Sequence, residues 1–184
     1  MRRMHDSRFA TKYFVGRGID VGSGDDCLDQ YSSLFPLMEF ASEWDKDDGD
    51  AQYMAIDYEW DFLYSSHCLE HLENPWLALR NWCKVVKKGG YLVVMVPDED
   101  MYEQGHWPSK YNGDHKHTFT MFKAPHRLWS KVSINVLELI AYVSDLAECE
   151  SVQRLTSTHL PNLPDTDQTL GIGECAIEFI LKRI

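Results

Sequence analysis

GRGIDVGSGDD, residues 16–26, is the stretch on which the fold turns. Ile19 and Val21 flank Asp20 in a short apolar run that breaks at Gly22 and Gly24, which reads as a strand entering a tight turn. A glycine turn between strand and helix lets a ligand approach the backbone closely, and the helix amides favour negative charge or polar oxygens. Asp20 changes the preference: a carboxylate beside the turn repels a diphosphate and attracts an ammonium group. The dinucleotide pattern GxGxxG fails as well, because Cys27 stands at the place of its third glycine. The ligand expected here is a nucleoside carrying a cation, and NAD is the weaker reading. An acid about 20 residues beyond such a turn commonly binds ribose hydroxyls, and Asp45 lies 21 positions after Gly24, where it reads equally well as a solvated turn residue.

Outward from this turn the periodicity gives alternating strands and helices. CLDQYSSLFPLM has helical character up to Pro36, and MEFASEW, followed by the polar run DKDDGD, reads as a second strand and its loop. WDFLYSS and YLVVMVP read as buried strands, the latter stopped by Pro97. Between them a helix shows both ends: Asn74 as N-cap, Pro75 at the first position, an apolar repeat through Trp76, Leu79, Trp82, Cys83 and Val86, and Lys87-Lys88-Gly89 as basic last turn and C-terminal glycine. This order predicts a parallel sheet covered by helices on both faces, with ligands at the carboxyl ends of the strands. Residues 98–131 lack a period and are rich in Trp, Tyr, His, Pro and Gly, as a functional loop would be. SINVLELIAYVSDL reads as a helix, and SVQRLTSTH and ECAIEFILKR as closing strands.

At 184 residues and 44% hydrophobic content the chain buries one sizeable core, and one domain, residues 1–184, is expected. A formal charge of -11 disfavours nucleic acid and anionic membrane surfaces. No run approaches the roughly 20 apolar residues of a membrane span, and MRRMHDSRFATKYF lacks the apolar core of a secretory signal, so a cytoplasmic location is the default. The five cysteines form no CxxC pair and read as buried free thiols.

With IDVGSGDD and WDFLYSSHCLEHLENPWLALRNWCKVVKKGGYLVVMVPDED in place, the chain resembles the class I S-adenosylmethionine-dependent methyltransferases, in their small-molecule, type 11-like branch. Asp26 departs from the family's usual final glycine. The resemblance implies a Rossmann-like, mostly parallel seven-stranded sheet with helices on both faces and an antiparallel last strand, here ECAIEFILKR. It implies S-adenosyl-L-methionine as cofactor and a small-molecule acceptor, with a saccharide as first candidate. It also implies that Asp20 stands near the methionine ammonium, that Gly22, Ser23 and Gly24 border the cofactor, and that Asp45 takes the ribose hydroxyls. Asp50 and Ala51 resemble the pair that meets adenine, and Ser66 and His67 would close the pocket. Only about 36 residues separate Gly24 from Asp61, so this region is trimmed relative to the usual form.

His67 and His71 are four apart and could share a helix face with His115 or His117 completing a zinc site, but no Cys or carboxylate has matching spacing and no metal is expected. His71 reads instead as a partly buried residue bonded to a neighbouring loop. In DHKHTFT, residues 114–120, His115 and His117 alternate on a strand-like run. A sugar hydroxyl or neutral amine must lose a proton as it attacks, and a histidine can accept it, so these two are the candidate catalytic residues, with loop-fixing hydrogen bonds as the plainer role. The expected activity is methyl transfer to an O or N nucleophile. A non-catalytic cofactor-binding protein and an NAD-dependent oxidoreductase are the competing readings.

Overall fold

The computed structural model describes residues 7–55, 59–163, 166–170 and 173–184; the first six residues of the amino-terminal stretch lie outside them. Four strands, β1 (Gly16–Val21), β2 (Met38–Trp44), β3 (Trp60–Ser66) and β4 (Val86–Pro97), run parallel to one another. β7 (Ala147–Leu155) and β8 (Ala176–Arg183) complete a six-stranded sheet of order β2-β1-β3-β4-β8-β7, in which β8 is antiparallel to both neighbours. The antiparallel last strand is thus as expected, while the count of seven is corrected to six. Fifteen residues separate Trp44 from Trp60, and among the described residues they hold a single 3-10 turn (Ala51–Tyr53) and no strand, which leaves β2 as an edge. β5 (Thr118–Thr120) and β6 (Ser133–Asn135) form a separate parallel pair, β5 inside what periodicity left irregular and β6 at the start of the run read as a helix.

Side chains alternate across the sheet as strand geometry requires. Leu63, Leu92, Val94, Phe179 and Leu181 point to one face, where α2 (Pro75–Val85) and α3 (Val136–Tyr142) cover them. Phe62, Val93 and Ile180 point to the other, under α1 (Ser7–Tyr13), Phe14 and the 3-10 helix Leu28–Leu34. Trp82 is fully buried at the centre of α2, and its replacement by Ala should cost about 3–5 kcal/mol through the cavity left behind.

The start of α2 is as read: the Asn74 side chain accepts a hydrogen bond from the Leu77 amide at 3.1 Å, and Pro75 occupies the first turn. Its end is not. The helix stops at Val85 and β4 begins at once, because Gly90 approaches the Asp61 carbonyl so closely that a Cβ would lie 2.4 Å from it, and Lys87 reaches back to pair with the Asp61 carboxylate at 2.7 Å. Lys87 to Gly89 therefore belong to a bulged strand. The segment after the glycine turn winds as a 3-10 helix with a kink at Tyr31 and no α-helix, and the helix expected over 133–146 is shortened to α3, preceded by β6. Four cysteines are buried, but Cys149 is exposed. Among the described residues no helix is long and apolar enough to cross a membrane.

Candidate functional site

The carboxyl ends of β1, β2 and β3 open onto one cavity of about 880 Å³. Residues of the glycine turn, the loop after β2, the turn after β3 and the loop 113–116 line it. The turn is tied to the sheet by the Gly22 amide, which donates to the Trp44 carbonyl at 2.8 Å. Gly22 has φ +79 and sits so close to Cys68 that a Cβ would meet the cysteine Cβ at 2.5 Å. Gly24 has φ +54 and open space on the side where a side chain would stand. Beside it the Ser23 hydroxyl is buried with no hydrogen-bond partner.

Asp20 is placed otherwise than as a cavity residue. It is 2% exposed on β1, its carboxylate accepts from the Leu28 amide at 2.7 Å, and it fastens the 3-10 helix to the sheet. Burial pushes its carboxyl up to about 7, with the Leu28 hydrogen bond only partly opposing. Asp45 and Asp50 do line the cavity, as do Gly22, Gly24, Ala51 and His67, whereas Ser23, Ser66 and His117 stand off it. Asp50 caps the 3-10 turn that carries Ala51, accepting from the Gln52 amide at 2.9 Å, and Gln52 in turn accepts from the Asn74 amide at 2.6 Å. The loop after β2 is thereby anchored to the start of α2.

The opposite wall has a different chemistry. Glu70 is fully buried in the 3-10 turn Leu69–His71, yet neither of its carboxylate oxygens has a hydrogen-bond partner. Three imidazoles surround Oε1: His67 Nδ1 at 3.4 Å, and His71 Nε2 and His115 Nε2 each at 3.9 Å. Burial alone would raise the Glu70 carboxyl, but His67 beside it reverses the direction and holds it below the usual range; burial likewise opposes, and Glu70 outweighs it, in raising His67. His67 itself has φ +55, a conformation a non-glycine residue rarely takes. His115 is buried, stacked on Tyr102 with centroids 5.2 Å apart, and its Nδ1 lies 2.7 Å from Oε1 of the buried Glu103. The loop bearing it is docked by the Lys116 and His117 amides, which both donate to the Glu70 carbonyl.

The strand read into DHKHTFT begins only at Thr118, so the two histidines precede it, and they separate all the same. His115 faces the cavity, while His117 has Nε2 3.3 Å from the Glu73 carbonyl. His71 is as read, partly buried with Nδ1 3.3 Å from the Asp114 carbonyl of the neighbouring loop. Glu70 and Glu103 were passed over in sequence; the only local sign was a glutamate set between two histidines and two leucines in HCLEHL. No metal is expected from the sequence, for want of a suitably spaced carboxylate; the structure sets the Glu70 carboxylate beside the ring nitrogens of His71 and His115.

A family model described as a methyltransferase domain matches residues 15–124, more than half of the chain. Solved structures share the fold across nearly the whole length at low identity. An S-adenosylmethionine-dependent methyltransferase from Clostridium acetobutylicum has a TM-score of 0.61 at 8% identity, covering 98% of this chain and 91% of its own. One from Mesorhizobium loti has 0.59 at 14%, covering 96% and 95%. The N-methyltransferase NodS of Bradyrhizobium japonicum, in complex with S-adenosyl-L-homocysteine, has 0.57 at 11%, covering 99% and 86%. No curated protein matches in sequence.

Proposed function

Because the chain belongs to the methyltransferase-domain family of S-adenosylmethionine-dependent enzymes, we propose that it methylates an O or N nucleophile of a small molecule, with a saccharide as the first acceptor to try. One observation carries this reading: a single cavity runs from the glycine turn and Asp45 to His115, so cofactor and acceptor can share it. The residues fit the cofactor, since the open side of Gly24 admits close approach to the backbone and the carboxylates of Asp45 and Asp50 line the same cavity. When bound, S-adenosylmethionine supplies a methyl group already activated on a sulfonium. Gly22, Gly24, Asp45, Asp50, Ala51 and His67 are assigned to hold it, with Asp20, Ser23 and Ser66 behind them. The protein's task is then mainly to bring acceptor and methyl into line, which contributes several kcal/mol on the order of known proximity effects.

At the acceptor end His115 is the residue assigned to take the proton of a hydroxyl or amine as it attacks. Its Nδ1 is engaged by Glu103, which leaves Nε2 directed toward Glu70 and the cavity. His117, turned to the Glu73 carbonyl, is assigned to the loop alone. The test has two steps. S-adenosyl-L-homocysteine should raise the melting temperature while NAD leaves it unchanged; then transfer of labelled methyl is measured over monosaccharides, sugar nucleotides and primary amines. A melting shift with NAD and none with S-adenosyl-L-homocysteine overturns the cofactor site, and label appearing only on protein or nucleic acid overturns the small-molecule acceptor.

A further inference from the structure

We propose that Glu70, His71 and His115 form a site for one divalent transition-metal ion, zinc by the chemistry of its ligands, at the acceptor end of the cavity. One ligand atom from each of the three residues lies within 4.8 Å of the others, and Glu70 Oε1 is 3.9 Å from both Nε2 atoms. Tetrahedral zinc with bonds of 2.0–2.1 Å sets its ligands about 3.3 Å apart. Ion binding therefore requires the three groups to draw closer together than they now lie.

Two independent features point to a cation. The first is the state of Glu70: a fully buried carboxylate with no hydrogen bond to either oxygen has only His67 Nδ1, 3.4 Å away, nearer than the two proposed imidazole ligands, and a bound cation would offset its burial further. The second is the outer arrangement of the imidazoles. His115 Nδ1 is 2.7 Å from the Glu103 carboxylate and His71 Nδ1 is 3.3 Å from the Asp114 carbonyl, so a proton on Nδ1 satisfies either contact and leaves that ring's Nε2 on the side of Glu70. That arrangement, with a carboxylate or carbonyl behind each ligating imidazole, orients metal-binding histidines and raises their basicity. The ring of Tyr102 and the backbone bonds from Lys116 and His117 to Glu70 hold the loop in register.

Two imidazoles and one carboxylate suit zinc better than magnesium, which prefers oxygen ligands and keeps its waters. Three protein ligands leave one position for a group from the cavity. A hydroxyl coordinated there would lose its O–H proton to solvent at lower pH than when free. In the metal-bound protein His115 is thus a ligand, and it accepts the acceptor's proton only in the metal-free form. Ion binding does not depend on the methyltransferase reading; this last consequence rests on it.

The full-length protein is stripped with a chelator and titrated with zinc chloride alone by calorimetry, with magnesium chloride in parallel. One zinc per chain is expected, with no comparable magnesium binding. His115→Ala, His71→Ala and Glu70→Gln should each lose the site, Glu103→Gln should weaken it between about 10- and 100-fold, and His126→Ala, an exposed histidine elsewhere, should bind as the parent does. If Glu70→Gln does not fold, the parent loaded with cobalt decides: an intense tetrahedral d–d spectrum that His115→Ala lacks supports the site, and a weak octahedral one overturns it. Zinc binding equally tightly to the parent and to His115→Ala overturns the proposal, as does a cluster that binds no ion and holds Glu70 by His67 alone. S-adenosyl-L-homocysteine is added to the same samples: a melting shift without a zinc site refutes this inference alone, and a zinc site without that shift refutes only the cofactor assignment.

Discussion

Across the cavity, two walls use polar groups in opposite ways. On the glycine-turn side Gly24 and Asp50 are exposed, Asp45 is half-buried, and the carboxylates are occupied by local bonds, Asp45 by the Lys46 amide and Asp50 by Gln52. On the histidine side Glu70, Glu103 and His115 are buried, drawn from two segments more than thirty residues apart, and neither carboxylate oxygen of Glu70 has a hydrogen bond. Exposed carboxylates exchange water for a ligand at little cost, whereas buried charge is maintained only when something in the site compensates it. The first wall is therefore suited to holding a molecule and the second to acting on one, and variants should divide along that line.

The largest expected effect sharpens the contrast. His115→Ala should lower kcat by about 10²- to 10⁴-fold, the usual range for a general base, with S-adenosyl-L-homocysteine affinity by calorimetry close to the parent's. An equal loss in both quantities would mean that the two walls act as one.

Next in size is a stability effect at the base of the first wall. Asp20 has its carboxyl pushed up from 3.8 to about 7 by burial. Between these values the unfolded chain has released its proton and the folded protein keeps it, so stability falls as pH rises from about 4 to 7 and stays lowered above that. The full loss is on the order of 4 kcal/mol. Asp20→Asn removes this slope while its amide oxygen still accepts from Leu28, so denaturant midpoints at pH 8 should favour the variant and those at pH 4 should coincide. Identical profiles would show that Asp20 ionises freely in the folded protein.

These two variants also mark how far the sequence could be read. β1, β2, β3, most of β4, the start of α2 and β8 were legible because their apolar periods and caps are local. The 3-10 winding after the glycine turn was not, since its conformation depends on Asp20 reaching Leu28 eight residues on. Nor was the end of α2, where Gly90 against Asp61 overrides a sequence that reads as a helix terminus. In the site, the glycine turn and Asp45 lie within one motif, and the loop carrying Asp50 and Ala51 was found by resemblance. Glu70 and Glu103 were missed because burial of a carboxylate comes from contacts such as Glu103 to His115 and Glu70 to His115, which no local pattern announces.

A smaller effect is expected at Asp45. Asp45→Ala should weaken S-adenosyl-L-homocysteine between about ten- and a hundredfold, since a hydrogen bond to a charged group contributes about 1.5–3 kcal/mol, with kcat at saturating cofactor nearly unchanged. If kcat falls instead, the first wall does more than hold.

The smallest effect isolates the backbone of that wall. Gly24 has φ +54, so any side chain there is strained, but no atom lies within 4 Å of where its Cβ would stand. Gly24→Ala should therefore reduce the stability of the free protein by only about 1–2 kcal/mol, the usual cost of a left-handed residue. Gly22→Ala is the internal comparison, because its Cβ would overlap Cys68 at 2.5 Å and its cost should be clearly larger. The space beside Gly24 opens on the cavity, and a ligand seated against the turn must share it with the new methyl group. S-adenosyl-L-homocysteine should thus bind Gly24→Ala more weakly than the parent when both are fully folded by circular dichroism. Unchanged affinity in that variant would mean that the ligand keeps away from the turn and that Asp45 and Asp50 hold it without help from the backbone.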